Sequence, residues 1–211
     1  MKKVNIEKIY YLFWIFVFGC VAGWVIEGLW TYIKKGLIIN HSAVVIGPFN
    51  MAYGLCACVL SALLYKNRND NNYKLFIIGF AGGTILEYLM SIGVELILGF
   101  TAWDYSAKPF NINGRVCLLY SIFWGVLSIF WIKVIYPFVI SFIKKLDYSI
   151  GKKIAVCLAI FLILDMLFTY SAVERARANE RGIPPQNMYE EILDETFNKD
   201  YLTNMFNNNW G

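Results

Sequence analysis

Charged side chains are scarce in this sequence: Asp, Glu, Lys and Arg make up 16% of its 211 residues, against about 25% in a soluble domain. There is a single histidine, His41, in a loop. That excludes a serine-histidine-acid arrangement and any His-x3-His metal pair, and no cysteine pair supplies metal spacing. No Walker motif occurs, and the length leaves no room for a separate nucleotide-hydrolysing domain, so ATP-driven work would need a partner. The cysteines, Cys20, Cys56, Cys58, Cys117 and Cys157, are odd in number and lie in or beside apolar runs. They read as small buried hydrophobes, not as a disulfide framework. The net charge of +4 is spread over loops at helix ends, which excludes a nucleic-acid surface. The chain is therefore expected to use no metal or cofactor and to have no catalytic residues.

What is abundant is apolar surface: 58% of residues are hydrophobic and 18% aromatic, with a mean hydropathy of +0.52. Five apolar stretches stand out, Ile9 to Ile33, Ile46 to Tyr65, Leu75 to Gly99, Val116 to Val139 and Ile154 to Tyr170. Each is close to the roughly 17 to 25 residues that cross about 30 Å of hydrocarbon. A spanning segment must pair its own backbone polar groups, and none of these runs alternates as a barrel strand does, so they are expected to be helices. The fold class is an all-α polytopic membrane bundle of about five transmembrane helices over residues 1–171, in a multi-pass protein of the cell membrane.

Ten basic residues fall on one side, Lys2, Lys3, Lys8, Lys66, Arg68, Lys74, Lys144, Lys145, Lys152 and Lys153, and four on the other, Lys34, Lys35, Lys108 and Arg115. The positive-inside rule places the N-terminus inside and, after five crossings, the C-terminus outside. Arg175, Arg177 and Arg181 argue the opposite way, being basic and next to the last crossing. Lys133 is expected to snorkel to the headgroups. Residues 172–211 form an acidic tail, with seven acids against four bases. Pro184-Pro185 should stop the membrane helix, after which Met188, Ile192, Tyr201 and Met205 recur at near-helical spacing as the apolar face of a short amphipathic helix. That helix is expected to dock on this protein or a partner, not on anionic lipid.

Gly19, Gly23 and Glu27 recur at intervals of four, and Gly79, Gly83 and Glu87 repeat the pattern sixty residues later. Each triplet is followed by an outer loop containing a proline, Pro48 or Pro109, and a returning helix. The arrangement predicts a parallel repeat of a two-helix unit, with Gly-x3-Gly permitting close backbone approach in lipid. Glu27, Glu87 and Glu95 fall within or near the ends of the apolar runs, where a charged group costs about 2.5 to 3.5 kcal/mol at a helix centre and so faces a partner or a polar path. Glu95 lies eight residues after Glu87 with Ser91 between them, so the pair can line one side of a helix leading outward. Asp165, alone among Leu164, Met166 and Leu167, reads as structural. In the third loop, Trp103, Asp104, Tyr105, Ser106 and Asn111 read as an outer cap, with aromatic rings at the interface and Asp, Ser and Asn tying a turn.

These residues resemble a known family, the ABC-transporter type IV permease-like membrane proteins. The match rests on Gly23-Trp24 with Glu27, Gly47-Pro48 with Tyr53-Gly54, Glu87, the stretch from Trp103 to Leu118, and Trp124-Gly125. It covers about the first 170 residues. The chain departs from the usual pattern at His41-Ser42-Ala43, where an Asn-Arg-Gly is more common, and at Asn50-Met51-Ala52. The resemblance implies a membrane subunit served by a separate ATPase or another membrane subunit, within the lipid bilayer and with room for a homo-oligomer. Two readings follow. One is a transport subunit whose polar path is lined by Glu27, Glu87 and Glu95; the other is a non-transporting sensor or assembly subunit.

Overall fold

A computed structural model describes residues 6–99, 101 and 103–205; Lys2 and Lys3, and the end of the tail, lie outside the described residues. The elements are helices α1 (Ile6–Lys35), α2 (Met51–Leu64), α3 (Asn72–Leu98), α4 (Leu118–Phe130), α5 (Tyr136–Lys145), α6 (Tyr148–Glu180), α7 (Met188–Thr196) and α8 (Lys199–Met205). A two-residue antiparallel ribbon, β1 (Asn111–Ile112) and β2 (Val116–Cys117), sits in the loop after α3. The fold is an all-α membrane helix bundle. Four helical stretches are long and apolar enough to cross a membrane, residues 6–35, 72–97, 118–145 and 148–180. The third joins α4 to α5 through a π-helical turn at Trp131–Ile135. Pro137 lies just beyond that turn and has no N–H to return to the preceding carbonyl, which accounts for the local widening.

The second apolar stretch departs from its expected bounds. Helix does not begin at Ile46, because Gly47 takes a left-handed φ of +86° and Pro48 follows it. α2 starts at Met51 and is about 21 Å long, extended by a 3-10 turn at Tyr65–Asn67. Its N-terminal neighbour Asn50 donates its N–H to the Cys20 carbonyl at 3.1 Å, so the helix starts level with the middle of α1. Loop 36–50 therefore runs back down the outer half of α1. Trp24 Nε1 donates to Asn40 Oδ1 at 2.8 Å, and Thr31 Oγ1 meets His41 Nε2 at 2.7 Å. His41, expected to be merely solvated, is tied to α1.

The half of the bundle that holds the start of α1, called the inner half on the expected orientation, is an apolar core. Tyr10 and Ile15 of α1, Leu60 and Leu64 of α2, Leu75 of α3, Trp131 and Ile132 of the π turn, and Val139 and Ile143 of α5 are all buried together. Its polar groups are few; Trp131 Nε1 donates to Ser61 Oγ at 3.0 Å. Lys133 reaches the inner end of α3, where its ammonium donates to Asn72 Oδ1 at 2.5 Å. The ammonium expected at the headgroups is thus tied to the start of α3.

α6 starts beside the start of α1, with Tyr148 against Tyr10 at a ring separation of 5.0 Å, and ends beside the end of α3, where Arg177 lies against Gly99. α6 thus runs the full length of the bundle, from the end where α1 starts to the end where α3 stops. α6 is longer than its apolar stretch, and at about 50 Å it outruns the hydrocarbon by several turns. It stops at Gly182, φ +74°, just before Pro184-Pro185. The tail then docks on its own bundle, but by a different face from the expected one. Leu193, Phe197, Leu202 and Met205 bury against Ala172, Val173 and Ala176 of α6 and against Val45. Met188 is 75% exposed, and Ile192 and Tyr201 are exposed too. One continuous helix was the basis of the expected face; a break between Thr196 and Lys199 rotates α8 relative to α7 and changes which residues point inward.

Candidate functional site

The two glycine triplets pack their helices in the same way. On α1, a Cβ at Gly19 would stand 2.7 Å from Ala57 Cβ and 2.9 Å from the Tyr53 carbonyl, and one at Gly23 would collide with the Tyr53 ring. On α3, a Cβ at Gly79 would collide with Ser128 and stand 3.0 Å from the Trp124 carbonyl, and one at Gly83 would collide with the Trp124 ring. The returning helices answer in kind: Gly54 lies against Phe16, and Gly125 against Phe76. The α1/α2 and α3/α4 pairs therefore use matched contacts. The offset is sixty residues on the first helices and seventy-one on the returning ones, because α3 runs further past its glycines than α1, the second loop is longer, and Trp124 sits deeper in α4 than Tyr53 does in α2.

One turn above each glycine pair sits the carboxylate. Glu27 accepts from the Tyr53 hydroxyl at 2.5 Å. Glu87, 6% exposed, accepts from Trp124 Nε1 at 3.1 Å and from the Tyr105 hydroxyl at 3.0 Å. Tyr53 and Trp124 are thus equivalent ring-bearing donors, each lying over a glycine and reaching a glutamate. Along their helices Glu27 stands about 28 Å above Lys8 and Glu87 about 20 Å above Lys74, so both lie in the outer part of the span, above the apolar core. Cys56 Sγ of α2 lies 3.9 Å from Met90 Sδ of α3, which brings the two halves of the repeat to one region. A carboxylate has about four lone-pair sites, so after these bonds each retains capacity to hold a proton or a cationic group. Among the described residues no cluster of three or more His, Cys, Asp or Glu could hold a metal ion.

Glu95 is different. It is paired to Arg115, whose Nη1 also donates to Ser91 Oγ at 3.0 Å, so its charge is neutralised by the outer loop. That loop is a built cap. Trp103 Nε1 donates to the Arg115 carbonyl at 2.9 Å, and Asn111 Nδ2 donates to the carbonyls of Ser106 and Lys108. Asp104 Oδ1 accepts from the N–H and the hydroxyl of Ser106, and the hydroxyl and N–H of Ser106 hold the Asp104 carboxyl below the usual carboxylate range. The Tyr105 ring stacks on Tyr120 at 4.5 Å while its hydroxyl reaches Glu87. Burial, and then the Glu87 charge, push the Tyr105 phenol up. Of the five expected cap residues, Tyr105 alone makes the bond to an intramembrane carboxylate; the other four shape the loop that delivers it.

The family model described as "Putative ABC-transporter type IV" matches residues 14–170. The chain belongs to this family. No curated protein and no solved structure matches it. The matched region of this ABC-transporter type IV chain ends within α6 at Tyr170, so it takes in nearly all of both helix pairs and the cap and leaves out the docked tail. The residues on which the family resemblance rests fall together in the fold: Gly23, Glu27, Tyr53 and Gly54 make one contact face, and Glu87, Trp124 and Gly125 the other.

Sequence reasoning left three participants unassigned. Tyr53 and Trp124 carried a signal, being followed by glycine in both returning helices. Arg115 did as well, as the one basic residue beside the second returning helix. Asp165, read as structural, accepts through Oδ1 from the Ile46 N–H of the first loop at 3.1 Å, while its buried Oδ2 meets no partner among the described residues; Thr169 Oγ1 accepts from the Val45 N–H at 3.0 Å. Asp165→Asn keeps that acceptor and is expected to change stability by less than about 1 kcal/mol, whereas Asp165→Leu strands a buried N–H and should cost about 1–3 kcal/mol. Thermal unfolding of the detergent-solubilised variants checks the difference.

Proposed function

We propose that this chain is the membrane-embedded, permease-like subunit of a transporter in the bacterial cell membrane, working with a separate ATPase. The observation that supports it is Glu87: a buried carboxylate bonded at once to α4 and to the outer cap, where movement of the cap changes the surroundings of an intramembrane charge. Glu27 and Glu87 mark the outer part of the path, and Glu95, held by Arg115, marks its mouth. Below them the apolar core closes the inner half, so the conformation is sealed on the inner side and polar on the outer. Transport then requires the α1/α2 and α3/α4 pairs to part, and their matched glycine faces allow sliding without loss of backbone contact.

A second reading, a non-transporting sensor or assembly subunit, draws on the tail, whose inner face is docked while Glu191, Glu195 and Asp200 remain exposed. Affinity purification from native membranes separates the two. Co-purification of an ATPase, together with an uptake defect on deletion, is the expected result. Recovery of other proteins without an ATPase, and unchanged uptake, would favour the second reading.

A further inference from the structure

At the basic end of the bundle, α6 carries an open furrow of about 600 Å³ lined by Tyr148, Ser149, Lys152, Lys153, Val156 and Cys157. These residues form two neighbouring rows at helical spacing, 148/152/156 and 149/153/157. The other side of the same turns packs on α1, where Gly151 lies against the Tyr10 hydroxyl, so the furrow looks away from the bundle. From Ile154 on, the helix is apolar, which puts Lys152 and Lys153 at the level of the headgroups and Val156 and Cys157 one turn inside the hydrocarbon. Among the described residues, no carboxylate pairs with Lys152 or Lys153, nor with Lys144 and Lys145 just across the α5–α6 turn. The nearby acid, Asp147, is engaged as the helix cap, its Oδ1 accepting from the Ile150 N–H at 3.0 Å.

We infer that this furrow binds one anionic phospholipid, its phosphate on the Lys152 and Lys153 ammonium groups and an acyl chain along Val156 and Cys157. The argument is one of complementarity. The floor is apolar at a depth where lipid chains are the solvent, and the rim holds two unpaired cations at the depth of the phosphates. Tyr148 and Ser149 add hydroxyl donors that suit phosphate and glycerol oxygens. A basic residue at the membrane surface favours anionic lipid by about fivefold, so two adjacent lysines should give roughly a 25-fold preference.

The test uses the full chain, purified and incubated in mixed micelles of equal phosphatidylglycerol and phosphatidylcholine, with the retained lipid quantified by mass spectrometry. The wild type should retain phosphatidylglycerol in large excess. Lys152→Gln with Lys153→Gln, both at exposed positions, should bring the ratio close to one, while Lys34→Gln with Lys35→Gln at the other end of the bundle should leave it unchanged. Val156→Trp, which fills the furrow but keeps both charges, should reduce the retained phosphatidylglycerol severalfold. Equal retention of the two lipids by the wild type, or an undiminished preference in the double lysine variant, would overturn the site. Full retention by Val156→Trp would overturn the placement of the acyl chain.

Discussion

Glu87→Gln should accumulate in the membrane at the wild-type level and reduce transport to background. The bonding of this residue makes the two readouts separable. Trp124 Nε1 can only donate, and it finds an acceptor in the glutamine carbonyl; the Tyr105 hydroxyl can accept as well as donate, so it can take a hydrogen from the new amide. Both neighbours of Glu87 stay satisfied, and the substitution removes the charge alone. Glu87→Leu does the opposite, stranding an indole N–H and a phenol at about 1–3 kcal/mol each. That is a large part of the total stability of most folded domains, so its abundance should fall along with its activity. Membrane abundance beside an uptake or growth phenotype measures both. If Glu87→Gln retains full uptake, the charge has no part in transport and the carboxylate is one more structural acceptor.

The features of this site that were legible in the sequence are those carried by one helix at a time. Gly19, Gly23 and Glu27, and their counterparts sixty residues on, share a face because the spacing of four is a property of the helix alone. Glu95 joined the same group by spacing, and there the inference was incomplete: Arg115, twenty residues away on the returning loop, cancels its charge, and nothing in the local pattern gives that distance. The pairing of Tyr53 with Glu27 and of Trp124 with Glu87 was hidden for a related reason. The two helix pairs differ in loop length and in where each helix ends and begins around its glycines, so the returning helices are offset by seventy-one residues instead of sixty and no single offset displays the whole unit.

The first outer loop shows the same limit. Its lack of regular structure follows from Gly47-Pro48, but its anchoring on Asp165 and Thr169 joins segments more than a hundred residues apart. The tail failed at a finer level. Its amphipathic character was readable, yet the break at Phe197-Asn198 decided which residues turn inward, so Leu193, Phe197 and Leu202 are buried where Met188, Ile192 and Tyr201 were expected.

Arg175→Ala should release that tail. Arg175 is 6% exposed, and its guanidinium grips Asp194 with two bonds, Nε to Oδ1 at 2.9 Å and Nη2 to Oδ2 at 3.0 Å. It also donates to the Ile183 carbonyl at 2.9 Å and to Asn179, with Glu190 at 3.6 Å. With Arg177 paired to Glu174 at 2.6 Å, these arginines are bound up within the folded tail. Removing Arg175 takes away several charge-assisted bonds at once and leaves Asp194, 22% exposed, with only the Asn179 amide, a loss of about 3 kcal/mol. The tail is a short segment with four buried apolar side chains, and after the entropy of ordering some twenty residues is subtracted, its docking has little stability to spare. Opening should therefore rise by about 100-fold or more, and tryptic cleavage at Lys199 in intact membranes should accelerate in step, since cleavage follows the population of the open form when reclosing is fast. Arg175→Lys keeps the charge but lacks the planar fork and should rescue only in part. The same variant also separates the two readings of function. Tyr201 donates to the Val45 carbonyl at 3.2 Å, and the Val45 loop runs back along α1 toward Glu27, so a transport role predicts altered uptake once the tail is free, whereas an assembly role predicts loss of the co-purifying partner with no such change. Unaltered protection from trypsin would mean that Leu193, Phe197, Leu202 and Met205 hold the tail without the ion pair.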